Sequence, residues 1–232
     1  MFIQRGFNSN TVIGNLIIIN VLAFVAKWLM GYADMLVCGE FEFGAFYRTI
    51  SKLDLIAGLF LPLSENFRPW QIVTHMFMHG DFFHLLFNMY ALWMFGSTLE
   101  QVWGARKFLI FYFVCGLGAA LTYTLVRMYE LQGADEAVAC VANAIPVLGA
   151  SGAVFGVLLG FGMLFPNTEL MLLFFPIPIK AKYFVLGYGA IELYTGLKHT
   201  PGDNVAHFAH LGGMIFAFIL IKVWSNNRNT FY

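Results

Sequence analysis

Ser151 is the only polar side chain in "VLGASGAVFG", residues 147 to 156, and Gly149, Gly152, Gly156 and, just beyond, Gly160 surround it. A hydroxyl in an apolar segment can be a nucleophile, if a base reaches it and N–H donors face it. It can equally cap a helix or sit at a tight helix contact. On this segment alone packing explains the residues more readily. The glycines serve both readings, because two short side chains on different helices meet only if the backbones pass very close.

The bases that could reach Ser151 are clustered. His75, His79 and His84 precede or open one apolar run, and His207 and His210 open another, "VAHFAHLGGMIFAF". His199 stands apart in the loop before them. Gly213 and Ala217 lie three and seven residues after His210 and share its helical face. They give the base a smooth stripe to match that of Ser151. His84 and Asn88 are four apart, so one helix face carries two hydrogen-bond donors of the kind that stabilise an oxyanion. His75-x-x-x-His79 has a spacing seen in metal sites, and His84 with His210 could ligate a haem. No HExxH is present, and the only nearby carboxylates are Asp81 and Asp203 in loops. The expectation is therefore no metal and no cofactor, with His75, His79 and His207 in structural networks.

Six apolar spans must position these groups, at about residues 13–30, 82–99, 108–127, 151–165, 183–197 and 205–224. The fold class expected is all-α: a polytopic membrane bundle of six transmembrane helices in one domain over residues 1–232. Of the 232 residues, 59% are hydrophobic and 11% charged, where soluble domains have about 25% charged. Thirteen basic and thirteen acidic residues cancel, which leaves no excess charge for nucleic acid. The partners implied are the lipid bilayer and other membrane proteins. The first span is too long for a removable signal peptide. The segment "VACVANAIPVLGA" before Ser151 is expected to dip into the protein as irregular backbone. A helix from Ser151 to Phe165 is roughly 22 Å long, against a hydrocarbon core of about 30 Å, so Ser151 starts below the surface. "ELMLLFFPIPIKAK" reads as a surface-lying connector. Cys38, Cys115 and Cys140 have no metal spacing and are expected to pack, with a Cys38–Cys140 bridge as the alternative. Arg5, Arg106, Lys107, Lys180, Lys182, Lys222 and Arg228 gather on the side of both termini, which places the termini in the cytoplasm. The acids gather on the other side, which Ser151 faces.

"HLLFN" in the second span, "GASGAVFG" in the fourth and "AHLGG" in the sixth, with "WQIVTHMFMH" before the second, together resemble the rhomboid family of intramembrane serine proteases, in its six-span bacterial form. The resemblance runs from about Trp70 to Trp224. It implies Ser151 as nucleophile, His210 as general base, His84 and Asn88 as oxyanion donors with the Ser151 N–H, and Phe155 packed on the imidazole. It also implies a bacterial inner membrane and a transmembrane helix as substrate. Two positions depart from the family: Gln71 follows Trp70 where arginine is frequent, and Ala217 stands where glycine is frequent. With no acid at helical spacing from His210, a Ser-His dyad oriented by Phe155 is expected. A rhomboid-like pseudoenzyme that binds transmembrane clients without cleaving them is the alternative. A transporter is disfavoured by the lack of repeats and of acids within the spans.

Overall fold

The computed structural model describes residues 10–41, 44–172, 175–198 and 205–226. Helix α1 (Val12–Met30) is capped twice. Thr11 Oγ1 accepts from Gly14 N at 3.0 Å, and the Glu100 carboxylate accepts from Val12 N at 2.8 Å and Ile13 N at 3.0 Å. The first turn of a helix leaves such donors unpaired, so a carboxylate far along the chain ties the two segments together.

A hairpin follows, β1 (Tyr32–Phe41) antiparallel to β2 (Gly44–Ser51), with Tyr32 opposite Ser51. Short helices α2 (Lys52–Ala57) and α3 (Gln71–Thr74) lead to a 3₁₀ turn, His75–Phe77. Helix α4 (Phe82–Ala91) continues through a π turn, Leu92–Gly96, into α5 (Ser97–Trp103). Then come α6 (Ala105–Glu130), α7 (Glu136–Ala144) and α8 (Ser151–Leu164). A second hairpin, β3 (Glu169–Leu172) with β4 (Phe175–Lys180), precedes α9 (Ala181–Lys198) and α10 (His207–Asn226).

Helix α8 is the hub. It packs against α6, α9, α10 and the π turn, and from Gly152 to Val157 every residue is buried. A helix apolar all round belongs in the middle of a bundle. The outer helices turn large apolar side chains outward instead: Leu22 and Leu29 on α1, Leu121 and Leu125 on α6, Leu186 and Ile191 on α9, Ile215 and Ile219 on α10. Exposure of this kind suits lipid rather than water. Among the described residues α1, α6 and α10 are long and apolar enough to cross a membrane.

Several expectations change. The all-α reading gives way to a mostly helical fold with two hairpins in its connections, and "ELMLLFFPIPIKAK" folds as the second. The segment before Ser151 is helical over Glu136–Ala144 and irregular only from Ile145 to Ala150, where Val147 bridges Leu59 in both directions, at 3.0 and 2.8 Å. Cys140 is disulfide-bonded, not simply packed, while Cys115 is buried and free. The side chain of Cys38, and His199, Arg5 and Arg228, lie outside the described residues.

Candidate active site

Three helices converge on one hydrogen-bonded line. Ser151 opens α8, and its Oγ is 2.9 Å from His210 Nε2 on α10. On its far side, His210 Nδ1 is 2.8 Å from Oε2 of Glu192 on α9. The ring of Phe155, one turn after Ser151, lies parallel to the His210 imidazole at 4.2 Å with planes 4° apart. Tyr188 packs on Phe155 from behind at 4.9 Å.

The approach of α8 and α10 depends on missing side chains. A Cβ on Gly213 would overlap the carbonyl of Gly152, so the two backbones touch there. Ala217, where the family pattern favours glycine, is fully buried. Before Ser151 the chain turns at Gly149, with φ +132°, a region that favours glycine. A Cβ there would stand 2.8 Å from His84 Nε2 and 3.5 Å from Ser151 Oγ. The loop is thus pressed against the His84 ring, and Gly149 N donates to His75 O at 2.9 Å.

His84 and Asn88 lie on α4 across the cleft. Asp81 caps that helix by accepting from His84 N at 2.9 Å. Asn88 Nδ2 donates to His84 O at 2.9 Å, so its amide is held by its own helix. Lys27 of α1 braces the turn before α4. Its Nζ donates to His79 O at 2.8 Å and Gly80 O at 3.1 Å and pairs with the buried Asp54 at 2.7 Å. Gln71, buried where arginine is frequent in the family, accepts from Arg68 N at 3.0 Å and donates to Asn66 O at 3.0 Å. The loop is therefore anchored by an amide in place of a guanidinium.

His84, Asn88, Ser151, Phe155 and His210 all border one cavity of about 1900 Å³, which also reaches Phe87, Met94, Leu158 and Phe184. It is wide enough for a peptide segment and largely apolar. His75 lies outside this wall, buried, its Nδ1 donating to Gln71 O at 2.9 Å. Burial lowers its pKa to about 4. His79 packs edge-on to His84 at 5.0 Å.

Glu192 corrects two expectations, that the spans hold no acid and that Phe155 alone is available to orient His210. The same Oε2 that meets His210 lies 2.7 Å from His207 Nδ1, and Thr195 Oγ1 is 3.1 Å from that nitrogen. The signal was present in the sequence: one carboxylate in an otherwise apolar span is expensive and functional by default. Glu192, His207 and His210 also bring their ligand atoms within 4.8 Å of one another, donor types that could hold a zinc ion. In this structure those atoms hydrogen-bond to each other. The metal-type pair suspected from spacing, His75 and His79, does not converge in this way.

Comparison with known proteins places these residues in context. The domain family described as "Rhomboid domain" matches residues 66–227. The chain is 38% identical over 159 residues to "Rhomboid protein 1, mitochondrial" of Saccharomyces cerevisiae, covering 68% of this chain and 43% of that protein. It is 27% identical over 215 residues to "RHOMBOID-like protein 12, mitochondrial" of Arabidopsis thaliana, covering 87% and 61%. With "Rhomboid protease AarA" of Providencia stuartii it shares 27% over 183 residues, 73% and 61%. The chain thus spans roughly half of these curated relatives. Two of the three are named mitochondrial, so the expected bacterial inner membrane is not supported.

Proposed function

We propose, from the premise that this chain belongs to the rhomboid family, that it is an intramembrane serine endopeptidase. Its substrates are transmembrane segments of other membrane proteins. The observation that carries the reading is the 2.9 Å contact between Ser151 Oγ and His210 Nε2 at the wall of a large apolar cavity. That distance is the reach a nucleophile and its general base require.

In the proposed reaction the Ser151 Oγ–H proton passes to His210 Nε2 as Oγ attacks a peptide carbonyl carbon. The negative oxygen that forms faces the first turn of α8, whose N–H groups have no helical acceptor, and the His84 and Asn88 side chains. His210 then gives its proton to the departing amine as the C–N bond breaks. Water attacks the resulting ester as His210 takes its proton, and the C–Oγ bond breaks as His210 returns that proton to Oγ, which restores Ser151 and the neutral imidazole. Phe155 holds the imidazole plane throughout.

The whole chain is read as one membrane domain with six crossings, to which α4–α5, α8 and α9 add the shorter spans. The basic connections share a side with the termini, and Ser151 opens toward the acidic side. The disulfide at Cys140 supports that orientation, since disulfides persist on the oxidising side of a membrane.

The test is labelling in membranes by a fluorophosphonate probe, beside cleavage of a reporter with one transmembrane helix. Wild type should label and cleave, and Ser151→Ala should do neither. Equal labelling of both proteins overturns the enzyme reading and leaves a rhomboid-like protein that binds clients without cutting them.

A further inference from the structure

We propose that Glu192 is a positioning residue that converts the expected dyad into a Ser151–His210–Glu192 line, with His207 bracing the carboxylate. The inference rests on the protease reading above. It assigns a role to a side chain that the family resemblance does not include.

The argument begins with what Phe155 can and cannot do. A parallel ring at 4.2 Å fixes the plane of the His210 imidazole. It is blind to a half-turn of the ring about Cβ–Cγ, which puts Cδ2 and Cε1 where Nδ1 and Nε2 stand, and blind to which nitrogen carries the proton. Both matter, because a base must present a bare nitrogen to Ser151. A neutral imidazole has one donor nitrogen and one acceptor, and an ionised carboxylate only accepts. With Nδ1 2.8 Å from Glu192 Oε2, the proton resides on Nδ1. Nε2 is then the acceptor, 2.9 Å from the hydroxyl it must deprotonate.

Glu192 is itself held. It is 5% exposed, and a buried carboxylate is stable only when paired and hydrogen-bonded. His207 Nδ1, 2.7 Å away, supplies the second donor to Oε2. Thr195, three residues along α9, lies 3.1 Å from the same His207 nitrogen while donating to Ile191 O at 2.7 Å. Among the described residues of α8, α9 and α10 there is no other acid. When His210 becomes an imidazolium in the reaction, the negative charge beside Nδ1 stabilises it.

Glu192→Gln tests the role at nearly constant shape. The amide can donate to Nδ1 and select the Nε2–H tautomer, which cannot accept the serine proton. In the soluble serine triad the corresponding change lowers kcat by about 10⁴-fold. Here Glu192→Gln should lower kcat by roughly 10²-fold or more with KM little changed, and Glu192→Asp should recover part of that loss. A purely structural role predicts instead that Gln, which fills the same volume, stays within a few-fold of wild type. That result overturns the proposal. Ser151→Ala in the same assay separates the two readings: if it cleaves as wild type does, the protease reading fails; if only Glu192→Gln stays active, the positioning role alone fails. Should the Glu192 variants not fold, ¹⁵N spectra of histidine-labelled wild type decide, with His210 assigned by difference from His210→Gln. A protonated Nδ1 and bare Nε2 at neutral pH support the proposal, and the opposite tautomer overturns it.

Discussion

The His210 imidazole lies flat on the ring of Phe155, centroids 4.2 Å apart and planes within 4°. One helical turn brings Ser151 and Phe155 to the same face of α8, so a single helix presents both the hydroxyl bonded to His210 and the ring stacked on it. Removing the ring should therefore loosen the base without removing it. Phe155→Ala is expected to cut cleavage several-fold more than Phe155→Tyr, which keeps the stack. Rates of reporter cleavage, normalised to folded protein, check this.

His210 and His207 have different partners, and their substitutions should separate. His210→Ala removes the only imidazole within hydrogen-bond reach of Ser151 among the described residues and should abolish cleavage. His207 touches Glu192 and Thr195, so His207→Ala should leave measurable activity. An inactive His207→Ala beside an active His210→Ala would reverse the assignment.

Asn88 is expected to matter in rate more than in folding. Loss of one oxyanion donor lowers kcat by about 10²- to 10³-fold in soluble hydrolases. In the resting structure its amide is bonded to His84 O, which must be exchanged for the oxyanion. Asn88→Ala should slow reporter cleavage while Ser151 still reacts with the fluorophosphonate. Full activity would reduce Asn88 to a packing role.

Gly213 and Ala217 lie on one face of α10 but should answer substitution differently. Gly213→Ala drives a methyl into the Gly152 carbonyl, backbone that cannot step aside. Overpacking costs about 1–3 kcal/mol or more, and separation of α8 from α10 would break the Ser151–His210 contact. A lower melting temperature and lost cleavage are expected together. Ala217→Gly should cost only about 1 kcal/mol, the helix-propensity difference, and remain active.

Acid should weaken the loop that precedes α4. Burial lowers His75 to about 4 and His79, further affected by His84 and Lys27, to about 3, against 6.5 unfolded. Between these values the unfolded chain binds more protons than the folded one, so stability rises with pH there. The contribution is complete above about pH 6.5 and is lost progressively below it. Thermal melts from pH 7 to pH 4 should show the decline, and His75→Gln should flatten it.

The sequence by itself determined most of the helices and singled out the candidate reacting groups. Apolar runs end where polar or turn residues begin, so α1, α6, α8 and α10 fall within three residues of the expected limits. Ser151 and His210 carry local signatures, a hydroxyl or an imidazole beside glycines on one helix face, and these can be read one helix at a time. The hairpins at Tyr32–Ser51 and Glu169–Lys180 were less legible, because short aromatic and apolar strands in a connection have no long period to reveal them. Glu192 was legible as a costly charge in a span, but not as the partner of His210. That pairing joins residues 192, 207 and 210 across two helices, and its meaning depends on which nitrogen faces which oxygen. Only the packing of α9 against α10, set by the rotation of each helix about its own axis, decided it.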